Sequence, residues 1–149
     1  MALGPSPRTR IMITTRPSRT AHSRRILVVD DLPDNAASLS LLLRRLGHRV
    51  ETAFCGTDAL TMASEFRPQV VLLDIGMPDI DGFEVCRRLR SEPWGGELFL
   101  VALSGWGQES DQRRAADAGF NAHLVKPLDY SLLETLLAGL QSQGLDRRF

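Results

Sequence analysis

Apolar positions along this chain follow two alternating patterns. Short continuous runs, such as Ile26-Leu27-Val28-Val29 and Val70-Val71-Leu72-Leu73, are bounded by polar or turn-forming residues. Such runs suit strands that are covered on both faces of a sheet. Between them, Leu39, Leu42, Leu43 and Leu46 recur at i, i+3, i+4 and i+7 and predict an amphipathic helix that stops at Gly47. The same reading predicts strands over 26–29, 49–54, 70–73, 98–103 and 121–125. Helices follow each of them, the later four carried by Ala59–Phe66, Phe83–Leu89, Gln108–Ala118 and the leucines from Leu132 to Leu140. Five βα units with right-handed crossovers predict an α/β fold, a doubly wound, flavodoxin-like parallel sheet of five strands in the order 2-1-3-4-5 with five helices. Ligands of such sheets sit beyond the carboxyl ends of the strands, at the switch point between strands one and three.

Composition adds an asymmetry. The 149 residues are 43% apolar with 18 basic and 18 acidic side chains, enough chain to bury a core without staples. All the same, Arg8, Arg10, Arg16, Arg19, Arg24 and Arg25 precede the first strand with no acid among them, so residues 26–149 carry a formal charge of −6. Residues 1–24 lack apolar periodicity and are expected to form a disordered Arg-rich arm, followed by a folded domain over 25–142 and a short tail over 143–149. The arm is the one feature that could meet nucleic acid or anionic lipid, but it has no helix to enter a groove, so no nucleic-acid or membrane partner is expected. No run approaches the roughly 18 apolar residues of a membrane span, and no secretory pattern is present. Cys55 and Cys86 form no metal-binding or disulfide pattern, and a cytoplasmic location with reduced thiols is the expectation.

The chemistry gathers at the strand ends. Strand one ends in Asp30-Asp31, strand three in Asp74, strand four in Ser104 and strand five in Lys126-Pro127, and Lys126 is the single lysine of the chain. Three neighbouring carboxylates repel one another unless a cation neutralises them, and all-oxygen donors suit a hard divalent ion such as Mg²⁺. Asp30 and Asp31, with the backbone carbonyl of Gly76, are assigned to that metal. Lys126 adds a point positive charge and Ser104 a neutral donor, which together make a phosphoryl site. Asp74, at the sheet centre between both sets, is the candidate nucleophile for acyl phosphate formation.

The segments Val-Val-Asp30-Asp31, Leu-Leu-Asp74-Ile-Gly-Met-Pro78-Asp-Ile-Asp-Gly82, Ala-Leu-Ser104-Gly105 and Leu-Val-Lys126-Pro127 resemble the motifs of bacterial two-component receiver domains, in order and in strand context. The stretch from Gly105 to Pro127 is similar to receivers of hybrid histidine kinases. This resemblance implies Mg²⁺ at Asp30, Asp31 and Asp74, phosphorylation of Asp74, a phosphoryl-sensing hydroxyl at Ser104 and a phosphoryl contact from Lys126. It also implies a Lys126–Pro127 bond that is often cis. The implied partners are a sensor histidine kinase or histidine phosphotransfer protein upstream, and a downstream protein that meets the face of the fourth helix, fifth strand and fifth helix. The implied activity is that of a phosphoacceptor acting on itself alone rather than of an enzyme with external substrates. A pseudo-receiver that binds its partner without phosphorylation is the alternative.

Two positions depart from the family pattern. His123 stands where relatives usually carry a Tyr or Phe switch, and it can act either as a switch or as a passive strand residue. Trp106, two residues beyond Ser104, either overhangs the site or is a plain loop aromatic. Competing motifs fail on spacing. A haloacid-dehalogenase-type phosphatase needs a second Asp two residues after its nucleophile, where Leu32 and Gly76 stand here. A calcium loop around Asp79-Ile-Asp81-Gly82 lacks its first and twelfth ligands. Nine residues remain after Leu140, so action through protein contact or phosphoryl relay is expected rather than direct transcriptional control.

Overall fold

The computed structural model describes residues 23–105 and 109–142. Strands β1 (Arg25–Val29), β2 (Arg49–Ala53), β3 (Val70–Asp74), β4 (Phe99–Ser104) and β5 (Ala122–Val125) form one parallel sheet in the order β2-β1-β3-β4-β5. Helices α1 (Pro33–Arg45), α2 (Gly56–Phe66), α3 (Gly82–Arg90), α4 (Glu109–Ala118) and α5 (Tyr130–Ser142) follow the strands in turn. Order and connectivity are those the hydrophobic pattern predicts, and each strand edge lies within one residue of the sequence reading.

The pleat sorts the core into two layers, because alternate side chains of a strand face opposite ways. Leu27, Val29, Val71, Leu73, Leu100 and Ala102 pack beneath α2, α3 and α4. Ile26, Val28, Val70, Leu72, Val101 and Leu103 pack beneath α1 and α5, against Leu39, Leu43, Leu133 and Leu137. Every residue of β3 is buried, so this strand is the hydrophobic axis of the domain. Burying one such leucine or valine fully is worth about 1.5–3 kcal/mol, which fixes where the strand, and hence the Asp74 that ends it, must lie.

Two contacts hold the loop after β3. A Cβ on Gly82 would stand 2.4 Å from the Ile75 Cα, so only glycine lets this loop close on itself, with the Gly82 N–H donating to the Ile75 carbonyl at 3.3 Å. The loop is also tied to α2, whose N-cap residue Cys55 makes no side-chain capping bond. Asp79 takes over that task from outside the helix: its carboxylate accepts the N–H groups of Gly56 at 2.9 Å and Thr57 at 3.1 Å.

Ser23 and Arg24, which the sequence reading leaves outside the folded domain, pack onto it. Arg24 is buried, its carbonyl accepts the Arg49 N–H at 2.9 Å and its own N–H donates to His48 Nδ1 at 3.1 Å. Ser23 donates its hydroxyl to the Gly47 carbonyl at 2.8 Å. Ser23 and Arg24 are therefore part of the packed unit. The expectations for residues 1–22, for Trp106 and for the tail over 143–149 lie outside the described residues.

Candidate functional site

β1 and β3 are neighbours in the sheet, in register from Ile26–Val70 to Val29–Leu73, so Asp30 and Asp74 emerge side by side at the carboxyl edge. Both are buried. Each carboxylate uses one oxygen on the local backbone: Asp30 Oδ1 accepts the Leu32 N–H at 2.9 Å, and Asp74 Oδ1 accepts the Gly76 N–H at 2.8 Å. Their other oxygens converge on Lys126, whose Nζ stands 3.0 Å from Asp30 Oδ2 and 3.1 Å from Asp74 Oδ2. The half-exposed Asp31 completes the group, and one carboxylate oxygen from each of Asp30, Asp31 and Asp74 lies within 4.8 Å of the others.

Lys126 reaches this point because the β4–β5 ladder runs one step past β5. Its N–H donates to the Ser104 carbonyl at 2.7 Å, and the Lys126–Pro127 peptide that follows is cis. Burial alone would push the ammonium pKa down. The hydrogen bonds and charges of Asp30 and Asp74 outweigh it, and the pKa stands above the ordinary lysine value.

One ammonium against three carboxylates leaves an excess of two negative charges in a largely buried place. Like charges this close repel one another. An oxygen-only donor set with that excess fits a hard divalent cation, and the half-exposed Asp31 leaves a side open to water, as Mg²⁺ requires. The backbone N–H of Gly76 is turned to Asp74. A Cβ on Gly76 would meet Asp74 Oδ1 at 3.5 Å, an ordinary contact, so glycine is not imposed there by crowding. Beside the acids, a cleft of about 590 Å³ opens between α1 and the start of α5, lined by Asn35, Ser38, Leu39, Leu128 and Tyr130 as well as Asp30 and Lys126.

Ser104 and His123 do not join this group in the same way. Asp74 has the strand parity of Val70 and Leu72, on the α1/α5 side of the sheet, whereas Ser104 has the parity of Leu100 and Ala102, on the α3/α4 side. There Ser104 Oγ lies 2.7 Å from His123 Nε2, and Ser104 is buried. His123 thus turns inward from β5 onto the hydroxyl that the sequence assigns to the site.

Asp79 was legible only as part of a failed calcium loop. Its signal was the acid in the Pro78-Asp79 turn, but its partners Gly56 and Thr57 lie more than 20 positions away. Neither cysteine enters the site: both are free thiols, and Cys86 is buried with its thiol on the Ala118 carbonyl at 3.3 Å and its pKa pushed up to about 11 by burial. Among the described residues no helix is long and apolar enough to cross a membrane.

Comparison with known proteins gives a consistent picture. The family described as response regulator receiver domain matches residues 26–138. The chain is 37% identical over 111 residues to the response regulator PleD of Caulobacter vibrioides, an alignment that spans 74% of this chain and 24% of that protein. It is also similar to the receiver domain of the sensor histidine kinase PA1611 of Pseudomonas aeruginosa PAO1, a structure with a magnesium ion coordinated in its active-site cleft. That match has a TM-score of 0.72 at 30% identity over 78% of this chain and 96% of the other. The Saccharomyces cerevisiae Ssk1 receiver, solved with the phosphotransfer protein Ypd1, shares the fold at a TM-score of 0.75 and 24% identity over 81% of this chain and 92% of that one. The chain spans about a quarter of the length of its PleD relative.

Proposed function

This chain belongs to the response regulator receiver family, and on that premise we propose that it is a phosphoacceptor switch of a two-component system or phosphorelay. An oxygen of the Asp74 carboxylate attacks the phosphorus of a phosphohistidine on a sensor kinase or phosphotransfer protein. The new O–P bond forms as the P–N bond breaks, and the bonding pair returns to the ring nitrogen as a lone pair, so that an imidazole protonated on its other nitrogen leaves neutral. Lys126, already 3.1 Å from the attacking carboxylate, places its charge against the phosphoryl oxygens. Asp30, Asp31 and Asp74, with the Gly76 carbonyl, would hold Mg²⁺, which when bound would offset charge on the transferring group. Ser104 supplies a hydroxyl donor once the phosphoryl group is on Asp74. The chain acts on no external substrate. Its output is a changed α4–β5–α5 face offered to a downstream protein, and it works in the cytoplasm.

The observation that carries this reading is the convergence of three carboxylates and the single lysine at one sheet edge, with Asp74 touched from the lysine side. Intact-protein mass after incubation with acetyl phosphate tests it, with and without Mg²⁺, on wild type and Asp74→Asn. A Mg²⁺-dependent phosphoryl adduct that is absent from the variant is the expected result. Absence of both adduct and Mg²⁺ binding would make the chain a phosphorylation-independent binding module instead.

A further inference from the structure

The contact between Ser104 and His123 has a direction that the surroundings of the ring determine. His123 Nε2 meets Ser104 Oγ at 2.7 Å, while His123 Nδ1 is buried and has no hydrogen-bond partner among the described residues. A neutral imidazole carries its proton on one nitrogen only. A buried N–H with no acceptor is the rarer and costlier orphan, whereas a bare lone pair is tolerated more often. The proton therefore sits on Nε2, and the ring donates to Ser104 Oγ. The two residues are diagonal neighbours on one sheet face, because His123 pairs with Ala102 and Ser104 with Val125.

We propose that His123 is a positioning residue that latches Ser104 in a resting place on the α3/α4 side of the sheet, so that moving this hydroxyl to a phosphoryl group on Asp74 breaks the Nε2–H···Oγ bond and takes its acceptor from the N–H of a partly buried ring. The proposal rests on the phosphoacceptor reading of Asp74. An aromatic hydrocarbon at position 123 has no donor to strand, so it would impose no such cost. The latch is thus a property of the imidazole in this chain. It biases the domain towards its unphosphorylated state by the difference in hydrogen bonding between the two positions of Ser104, in the manner of any two-state equilibrium.

Binding of beryllofluoride in the presence of Mg²⁺, followed by Trp fluorescence or calorimetry, reads the effect on wild type, His123→Phe, His123→Gln, Ser104→Ala and the Ser104→Ala/His123→Phe double variant. His123→Phe should bind about tenfold more tightly, a change equal to about 1.4 kcal/mol. His123→Gln, whose amide places a donor near the Nε2 position, should return to the wild-type affinity. In the Ser104→Ala background the Phe substitution should have no further effect. A gain of equal size with and without Ser104, no gain, or weaker binding by His123→Phe would each overturn the latch. The ¹⁵N shifts of the His123 ring give a readout independent of phosphoryl chemistry: the proton is expected on Nε2 in wild type, and a proton on Nδ1 would overturn the proposal. Wild-type protein that binds Mg²⁺ but no beryllofluoride, with the Nε2 tautomer in place, would instead sink the phosphoacceptor reading, and with it the switching role of the latch.

Discussion

The ammonium of Lys126 stands 3.1 Å from the carboxylate of Asp74, a residue 52 positions earlier in the chain. The same nitrogen lies 3.0 Å from Asp30, so one cation holds two buried anions while Asp31 adds a third acid alongside. Changing a charge on either side of this balance should have opposite consequences. In EDTA, Lys126→Gln should destabilise the domain by about 1–3 kcal/mol, because it leaves two buried carboxylates short of their charged partner. Asp31→Asn should leave the metal-free domain as stable or slightly more stable, while weakening Mg²⁺ binding at least tenfold, by about 1.4 kcal/mol or more. Chemical denaturation in EDTA and a Mg²⁺ titration check both, and destabilisation of the metal-free protein by Asp31→Asn would contradict the charge balance.

Acid should loosen the loop that follows β3. The hydrogen bonds from Gly56, Ile80 and Thr57 hold the Asp79 carboxyl well below the ordinary carboxylate range. A carboxyl whose pKa is lower in the folded state contributes stability that is present above its unfolded pKa of about 3.9 and is lost as pH falls below that value towards the folded pKa. Solvent exposure keeps this pH-dependent part small. Asp79→Ala should cost about 0.5–1 kcal/mol, as the loss of a helix cap does, and should remove part of the slope of melting temperature against pH below pH 4. An unchanged slope in the variant would show that the clamp does not act through its charge.

A second pH effect belongs to the start of the domain. Burial first, and then the nearby Arg24 charge, hold the His48 pKa below its ordinary value, in keeping with a neutral ring that accepts the Arg24 N–H. The unfolded chain then binds the proton more readily than the folded one. Stability is full above the unfolded pKa of about 6.5 and declines as pH falls through that value towards the lower folded pKa. His48→Asn should flatten this decline. Melting curves between pH 5 and pH 8 test it, and a wild-type melting temperature that rises on acidification in this window would refute the assignment.

Arg90 is the one charged side chain of α3 that turns inward to a backbone cluster. Its guanidinium donates to the carbonyls of Gly95 at 2.8 Å, Leu98 at 2.7 Å and Gly119 at 2.7 Å, and to Asn121 Oδ1 at 2.7 Å. The Asn121 oxygen also accepts the Leu100 N–H at 2.8 Å, so the cluster ties α3 to the starts of β4 and β5. Arg90→Ala should destabilise by about 2–4 kcal/mol through the carbonyls it strands. Arg90→Lys should recover only a minor part, because a point ammonium cannot reproduce the fork. Urea denaturation measures both, and full recovery by lysine would show that charge rather than geometry matters there.

How much of this the sequence determined follows from the range over which each signal acts. The period-2 and period-3.6 patterns are local, so Ile26–Val29, Val70–Leu73 and the Leu39–Leu46 stripe placed strands and helices correctly, and the alternation of the two implied the parallel sheet. Strand ends are local too. Because a doubly wound sheet brings the ends of its strands to one edge, Asp30, Asp31, Asp74 and Lys126 could be named as neighbours before any distance was known. The remaining features depend on which side chain meets which across long separations. Ser104 and Asp74 end adjacent strands, yet the pleat turns them to opposite faces and delivers Ser104 to His123. Asp79 finds the open end of α2, and Arg90 finds carbonyls from two separate segments. Periodicity specifies where a side chain starts along its element. Only packing, by setting how loops and helices lie over the sheet, decides what that side chain reaches.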